Sequence, residues 1–334
     1  METLYFLGID VSKKKLDTAL TVDGKIFHEV QIENQSQSIT TFFKDLKKQL
    51  SSWDRLVVCI EHTGIYGQPL LDVLVKNQIK VCVESALHIK RSQGLMRGKN
   101  DQVDAKRIAG YAFRHKENLV FWKPQRHCIQ KIKALLVTRE RLVMTKVQLE
   151  VPTKECSEFI DSSIRKEMIK HSQHSINAIQ KDIDRIELAI HHLINTDERL
   201  ADNCELSTSV PGIGKITALN MIVSTGEFER IREPKKFSCY SGVAPFEHTS
   251  GSSIRGKTRV SKMANMTMKR LLHLAAMAAV RSDGELKSYY QRKVAAGKNK
   301  MSVLNAVRNK LISRVFACVS TGRRYQKIYQ HQLA

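Results

Sequence analysis

Tyr5-Phe6-Leu7-Gly8-Ile9-Asp10-Val11 and, fifty residues on, Leu56-Val57-Val58-Cys59-Ile60-Glu61 are two runs of one kind. Each is apolar and β-branched, as a buried strand is, and each carries one carboxylate near its end. An ionised carboxylate in such a run is costly to bury unless it is paired or bound to a cation. Asp10 and Glu61 are therefore the first candidate functional groups. A third stretch, Asp101-Gln102-Val103-Asp104, reads as helix, so Asp101 and Asp104 project from one face. Four convergent carboxylates favour a hard divalent cation, Mg2+ first and Mn2+ as its natural substitute.

Outward from these runs, residues 4–33 read as three strands. Val22-Asp23-Gly24-Lys25 makes a turn, and Ile26 to Ile32 alternates apolar and polar. Ile39, Phe42, Phe43, Leu46 and Leu50 then recur at helical spacing. A strand at 55–61, a helix near 66–77, a strand at 79–84 and a helix over 101–115 follow. Three strands and then alternating β and α predict an α/β domain of the RNase H-like, RuvC-like kind over residues 1–120. In that fold acids from a central strand, a neighbouring strand's end and a late helix can meet.

Residues 121–203 change character. Ile176, Ile179, Ile183, Ile186, Ile190 and Leu193 step by three and four without error, an a/d heptad stripe. An earlier helix carries Ile129, Ile132, Leu136, Val143 and Val147, and Pro152 is expected to stop it. The stripe predicts a coiled-coil arm, closed within one chain or joining subunits.

Residues 204–334 read as a mainly helical domain. Val210-Pro211-Gly212-Ile213-Gly214-Lys215 resembles a helix-hairpin-helix turn. Gly212 and Gly214 would let backbone N–H groups, with Lys215, approach a phosphate at a helix N-terminus; a tight turn between core helices needs similar residues. Thr249-Ser250-Gly251-Ser252-Ser253 then runs into Arg255, Lys257, Arg259 and Lys262. A serine there could attack a phosphodiester while the cations hold the phosphoryl oxygens. A flexible loop gripping phosphates without chemistry fits equally, and the residues alone do not select among Ser250, Ser252 and Ser253. Helices over 263–281 and 301–319 close the domain.

Charge points the same way. Lys and Arg number 55 against 33 Asp and Glu, a formal net charge of +22, which asks for a polyanionic partner, nucleic acid before an acidic membrane surface. No long amphipathic basic segment or lipidation signal stands out. From Ser250 to Ala334 there are eighteen Lys/Arg and only two carboxylates; Asp101 and Asp104 stand as acids in another basic stretch. The seven cysteines form no Cys-x-x-Cys, so zinc and a disulfide framework are not expected. With no signal peptide and no membrane-spanning apolar stretch, a cytoplasmic location is expected.

Together these segments resemble the DEDD-type insertion-sequence transposases, a family that includes the pilin-gene invertases. Gly8-Ile9-Asp10-Val11-Ser12-Lys13 is similar to the family's opening strand, and Ile60-Glu61-His62-Thr63-Gly64-Ile65-Tyr66 to its Glu-x-Thr-Gly-x-Tyr segment. Asn100-Asp101-Gln102-Val103-Asp104-Ala105 is similar to its paired-Asp helix. Pro211-Gly212-Ile213-Gly214, Ser241-Gly242-Val243-Ala244-Pro245 and Ser250-Gly251-Ser252-Ser253 follow in the order of its C-terminal domain. The resemblance implies that Asp10, Glu61, Asp101 and Asp104 bind Mg2+ and that Ser250 joins DNA covalently. It further implies double-stranded donor and target DNA, a homo-oligomer (dimer or tetramer), and, for insertion-sequence members, a structured guide RNA. The alternative is a RuvC-like structure-specific endonuclease using water as nucleophile. An actin-like kinase or ATPase and a nuclease-inactive scaffold complete the field; the first leaves the charge of +22 unexplained, the second leaves buried acids without a counter-ion.

Overall fold

The computed structural model describes residues 4–92, 101–155, 159–250, 254–260, 263–282 and 284–326. The chain divides into two compact units, residues 1–124 and 125–334.

The first unit is built on a five-stranded mixed sheet. β1 (Tyr5–Val11), β2 (Lys15–Val22) and β3 (Lys25–Glu33) form an antiparallel meander. After α1 (Ser36–Gln49), β4 (Leu56–Glu61) pairs parallel to β1. After α2 (Gln68–Lys76), β5 (Lys80–Glu84) pairs parallel to β4. α3 (Ala86–Arg91) and α4 (Asp101–Arg114) complete the unit. The strand order β3-β2-β1-β4-β5, three antiparallel strands followed by two parallel ones, is the RNase H-like arrangement expected from the sequence.

Strand alternation divides the sheet's side chains between two cores. Tyr5, Leu7, Ile9 and Val11 of β1 pack with Val58, Ile60 and Val81 and with Ile39, Phe43, Leu46, Leu70 and Leu74 of α1 and α2. The other face carries Phe6, Cys59 and Cys82 against Ile108 and Ala112 of α4. Gly8 lies on this second face, and α4 descends directly onto it. A Cβ at Gly8 would sit 2.2 Å from the Ala109 nitrogen and 2.3 Å from the Ala105 carbonyl oxygen.

The second unit begins with α5 (His127–Glu155) and α6 (Ser162–Asn195), which pack along each other as a hairpin. Ile176, Ile183 and Ile190 of the heptad stripe are buried. Ile190 and Ile194 meet Ile129, Ile132 and Leu136 of α5, while Arg139 pairs with Glu187 and Lys146 donates to Gln180. The stripe is therefore used within the chain. Pro152 does not stop α5, as expected from the sequence, but sits inside its last turn. Three residues from the helix end the ring removes one intrahelical bond, and Pro152 is exposed, where water can take the freed carbonyl.

α7 (Glu198–Thr208), α8 (Lys215–Thr225) and α9 (Pro234–Tyr240) follow. Next come a β-hairpin, β6 (Pro245–Ser250) and β7 (Ile254–Val260), and then α10 (Met266–Arg281), α11 (Glu285–Ala295) and α12 (Lys300–Thr321). Their core gathers Met221, Phe237, Leu272, Ala276, Val307, Leu311 and Val315. In the segment that the sequence left open to a flexible loop, the described residues of β6 and β7 pair, Ser250 opposite Ile254 and Thr249 opposite Arg255.

Arg126, just before α5, joins three elements. Its guanidinium donates to both oxygens of Asp197, the N-cap of α7, at 2.7 and 2.9 Å, and to Glu227 beyond α8 at 2.9 Å. Glu227 is buried at 8% exposure, and the Arg126 hydrogen bonds hold the Asp197 carboxyl down at about 2. Arg126→Met should cost roughly 2 kcal/mol in urea unfolding, less than the loss of a fully buried pair because Arg126 is itself part-exposed. The sign follows from the depressed carboxyl. The Asp197 contribution is present above the ordinary carboxylate range and disappears as pH falls toward 2. The methionine variant should lose that acid-side slope.

Candidate functional site

Three of the four proposed acids come to one side of one sheet. Asp10 stands next to last in β1 and, two residues beyond Gly8, shares the α4 face. Glu61 ends β4 on that face, two residues beyond Cys59. Asp104 lies in the first turn of α4, one residue before the Ala105 that meets Gly8. The Gly8 contact thus sets the height at which Asp104 hangs over the strand ends. Asp101 begins α4, and its side chain lies outside the described residues.

Electrostatics tie two of these acids together. Burial pushes the Glu61 carboxyl up, and the charge of Asp104 pushes it further the same way. A like charge beside a half-buried carboxyl disfavours its ionised form. Asp104 has turned to Arg107, whose Nη1 donates to Oδ1 at 2.7 Å. Among the described residues, no three His, Cys, Asp or Glu side chains cluster as a metal-holding group. The donors are nonetheless of one chemistry, hard carboxylate oxygens on a half-buried face, and that set fits Mg2+ or Mn2+ and not zinc.

The structure adds acids that sequence reading passed over. Asp17 on β2 stands directly opposite Asp10 and is 3% exposed; Gln31 donates to it at 2.7 Å, and Lys15 lies 3.7 Å away. Glu84 ends β5 opposite Glu61 and meets His88 Nδ1 at 3.3 Å. Burial, and then the Glu84 charge, push the Tyr111 phenol up to about 12. The available signal was strand periodicity, since Leu16-Asp17-Thr18-Ala19 and Val81-Cys82-Val83-Glu84 place these acids as Asp10 and Glu61 are placed.

In the second unit, Gly212 and Gly214 separate in role. Gly212 has φ +94°, and a Cβ there would meet the Ala275 carbonyl at 2.7 Å and Ala279 at 2.8 Å, so contact with α10 accounts for it. Gly214 caps α8 facing open space, with Lys215 exposed beside it. Ser250 ends β6, and Arg255, Lys257 and Arg259 occupy alternate positions of β7. Their side chains lie outside the described residues, as does Lys262 entirely.

Comparison with known proteins gives a consistent result. Residues 7–154 match a transposase family of the DEDD IS110 type, and residues 204–291 match the Transposase IS116/IS110/IS902 family. A pilin gene-inverting protein of Moraxella bovis is 26% identical over 96% of this chain and 98% of its own length. The transposase for insertion sequence element IS1111A of Coxiella burnetii is 25% identical over 55% of each. A solved structure of T. thermophilus RuvC in complex with a Holliday junction substrate covers 36% of this chain and 99% of its own, at 10% identity and a TM-score of 0.28. The two family matches take in both the acids and the serine segment, in order along one chain, and this protein belongs to the DEDD-type insertion-sequence transposases, enzymes of DNA transposition and recombination.

Proposed function

We propose that the protein cuts and rejoins DNA strands through a covalent Ser250–DNA ester, assisted by a Mg2+ site on Asp10, Glu61, Asp101 and Asp104. The observation that carries the reading is the convergence of Asp10, Glu61 and Asp104 on one face, with Glu61 raised by burial and by its neighbour's charge. When bound, the metal supplies charge neutralisation at the phosphoryl oxygens and at the departing oxygen. In this chain, the Ser250 Oγ bonds to phosphorus while the bond to the 3′-oxygen breaks, and the serine proton leaves with the released 3′-hydroxyl. An incoming 3′-hydroxyl reverses the exchange and restores the serine, so phosphodiester energy is kept without ATP.

Gly214, Lys215, Arg255, Lys257, Arg259 and Lys262 serve on this reading as phosphate contacts, with Gly212 shaping the turn that presents them. The partners are double-stranded donor and target DNA and a structured RNA encoded beside the gene. Nuclease digestion of the purified complex, followed by sequencing of protected RNA, tests the last. A homo-oligomer is supported by α5, where Val137, Met144, Val147 and Val151 stay exposed at heptad-like spacing beside the face taken by α6. Among the described residues, no helix is long and apolar enough to cross a membrane.

Strand cleavage of DNA spanning the element ends, with and without Mg2+, tests the reading; Asp10→Asn should remove cleavage while binding persists. Melting supplies an independent readout. A carboxyl raised in the folded state contributes fully below its unfolded range and loses that contribution as pH rises through its folded value. Ionised Glu61 therefore opposes folding near neutrality. Mg2+ should raise the melting temperature, by more at pH 8 than at pH 5, and Glu61→Gln should melt higher than wild type without Mg2+ yet gain less from adding it. Equal gains in both proteins would remove Glu61 from the site.

A further inference from the structure

The turn that follows Glu61 is apolar and exposed. Ile65 is 81% exposed and Tyr66 42%, both in a single 3-10 turn, Gly64–Gly67. Alongside runs the turn that follows Asp10. The Asn34 side-chain amide donates to the Ser12 carbonyl and to the Tyr66 carbonyl, at 2.9 Å each. One side chain thus fastens the two turns, and Lys13 and Lys14 lie exposed on the fastened edge. Two polar atoms are left over at this place: Asn34 Oδ1 and Thr63 Oγ1 are buried without a hydrogen-bond partner. Buried polar atoms are ordinarily satisfied, and a pair of orphans at one rim marks a place where a ligand group or water completes the set.

We propose that these two turns form a strand-opening lip. Ile65 and Tyr66 press against a base unstacked beside the scissile phosphate, Lys13 and Lys14 hold the flanking phosphates, and Asn34 keeps the two turns together. The occupant follows from the mixture of surfaces. Cations ask for a polyanion, an exposed aliphatic–aromatic tip asks for a flat apolar face, and both lie on the segments that leave Asp10 and Glu61. A nucleic-acid strand presents phosphate and base together, and apolar wedges and aromatic platforms are the means by which proteins hold unstacked bases. The proposal rests on reading Asp10 and Glu61 as cleavage acids.

The test uses the full chain and element-end DNA carrying 2-aminopurine beside the cleavage position. Binding by the Asp10→Asn protein should raise the fluorescence several-fold, and adding Ile65→Ser with Tyr66→Ser should abolish the rise. In the otherwise wild-type protein the double change should slow cleavage of fully paired DNA at least tenfold, while DNA mismatched at that step is cut near the wild-type rate. Lys13→Ala and Lys14→Ala should each reduce the slope of log affinity against log salt by about one. No fluorescence rise, or equal slowing on paired and mismatched DNA, overturns the lip, as does loss of oligomer size in the double variant with base opening intact. A rise in the Asp10→Asn protein with no cleavage by wild type leaves the lip standing and removes the nuclease reading instead.

Discussion

Ser250→Ala should eliminate the protein–DNA adduct that survives denaturant, and with it strand exchange, while DNA affinity stays within about twofold. The reasoning is chemical. An ester to a side-chain hydroxyl holds a cut end on the protein without losing the phosphodiester's free energy, and alanine at position 250 has no atom to form it. The carboxylate face is untouched by the change, so the Mg2+ increment in melting temperature should be that of the wild type. Ser252→Ala and Ser253→Ala are the matched controls, since residues of the same type lie two and three positions away. Both should keep the adduct. Cleavage by Ser250→Ala at the normal rate, with no adduct in either protein, would assign attack to water and make the enzyme a RuvC-like endonuclease.

The second large effect is expected from a single methyl group. Gly8→Ala places a Cβ 2.2 Å from the Ala109 nitrogen and 2.3 Å from the Ala105 carbonyl, closer than any real contact. Both obstacles are helix backbone, so no side chain can swing aside and α4 must lift or slide. Overpacking of this kind costs about 3 kcal/mol or more, read as a lower urea midpoint. Asp104 rides on α4, so the Mg2+ increment should shrink in the same variant. Gly110→Ala is the contrast within one helix: its Cβ would meet only the Arg114 guanidinium end, at 3.2 Å. That substitution should be neutral or stabilising by up to about 1 kcal/mol. If both glycine variants behave alike, the close approach of α4 to β1 is not what sets the acids' spacing.

What could be read from the chain alone divides along physical lines. Asp10 and Glu61 were visible because an acid in a β-branched run is conspicuous wherever the run ends up. Three strands followed by alternating β and α pointed to the RNase H-like class, and the strand order β3-β2-β1-β4-β5 came with the structure. Asp17 and Glu84 sit in similar runs, but that they share a face with Asp10 and Glu61 shows only in the cross-strand register, Asp10 with Asp17 and Glu61 with Glu84. Gly212 read as a phosphate-binding glycine because its α10 partners, Ala275 and Ala279, lie more than sixty positions downstream. The β6–β7 ribbon read as open to a loop because Gly251-Ser252-Ser253 has loop composition and cationic residues follow it. The heptad stripe was legible, but its partner was not; α5 supplies it.

The perch of α4 on Gly8 also orders events in time. Asp10, Glu61 and Asp104 are contributed by the start, middle and end of the first unit, and contacts so far apart in sequence close late, after the local hairpins have formed. The basic surface needs no such closure, because its charge is present in any conformation. On the proposed reading, a newly made or partly opened molecule would therefore grip DNA before it could sever it, and copies that have not finished folding would make no breaks.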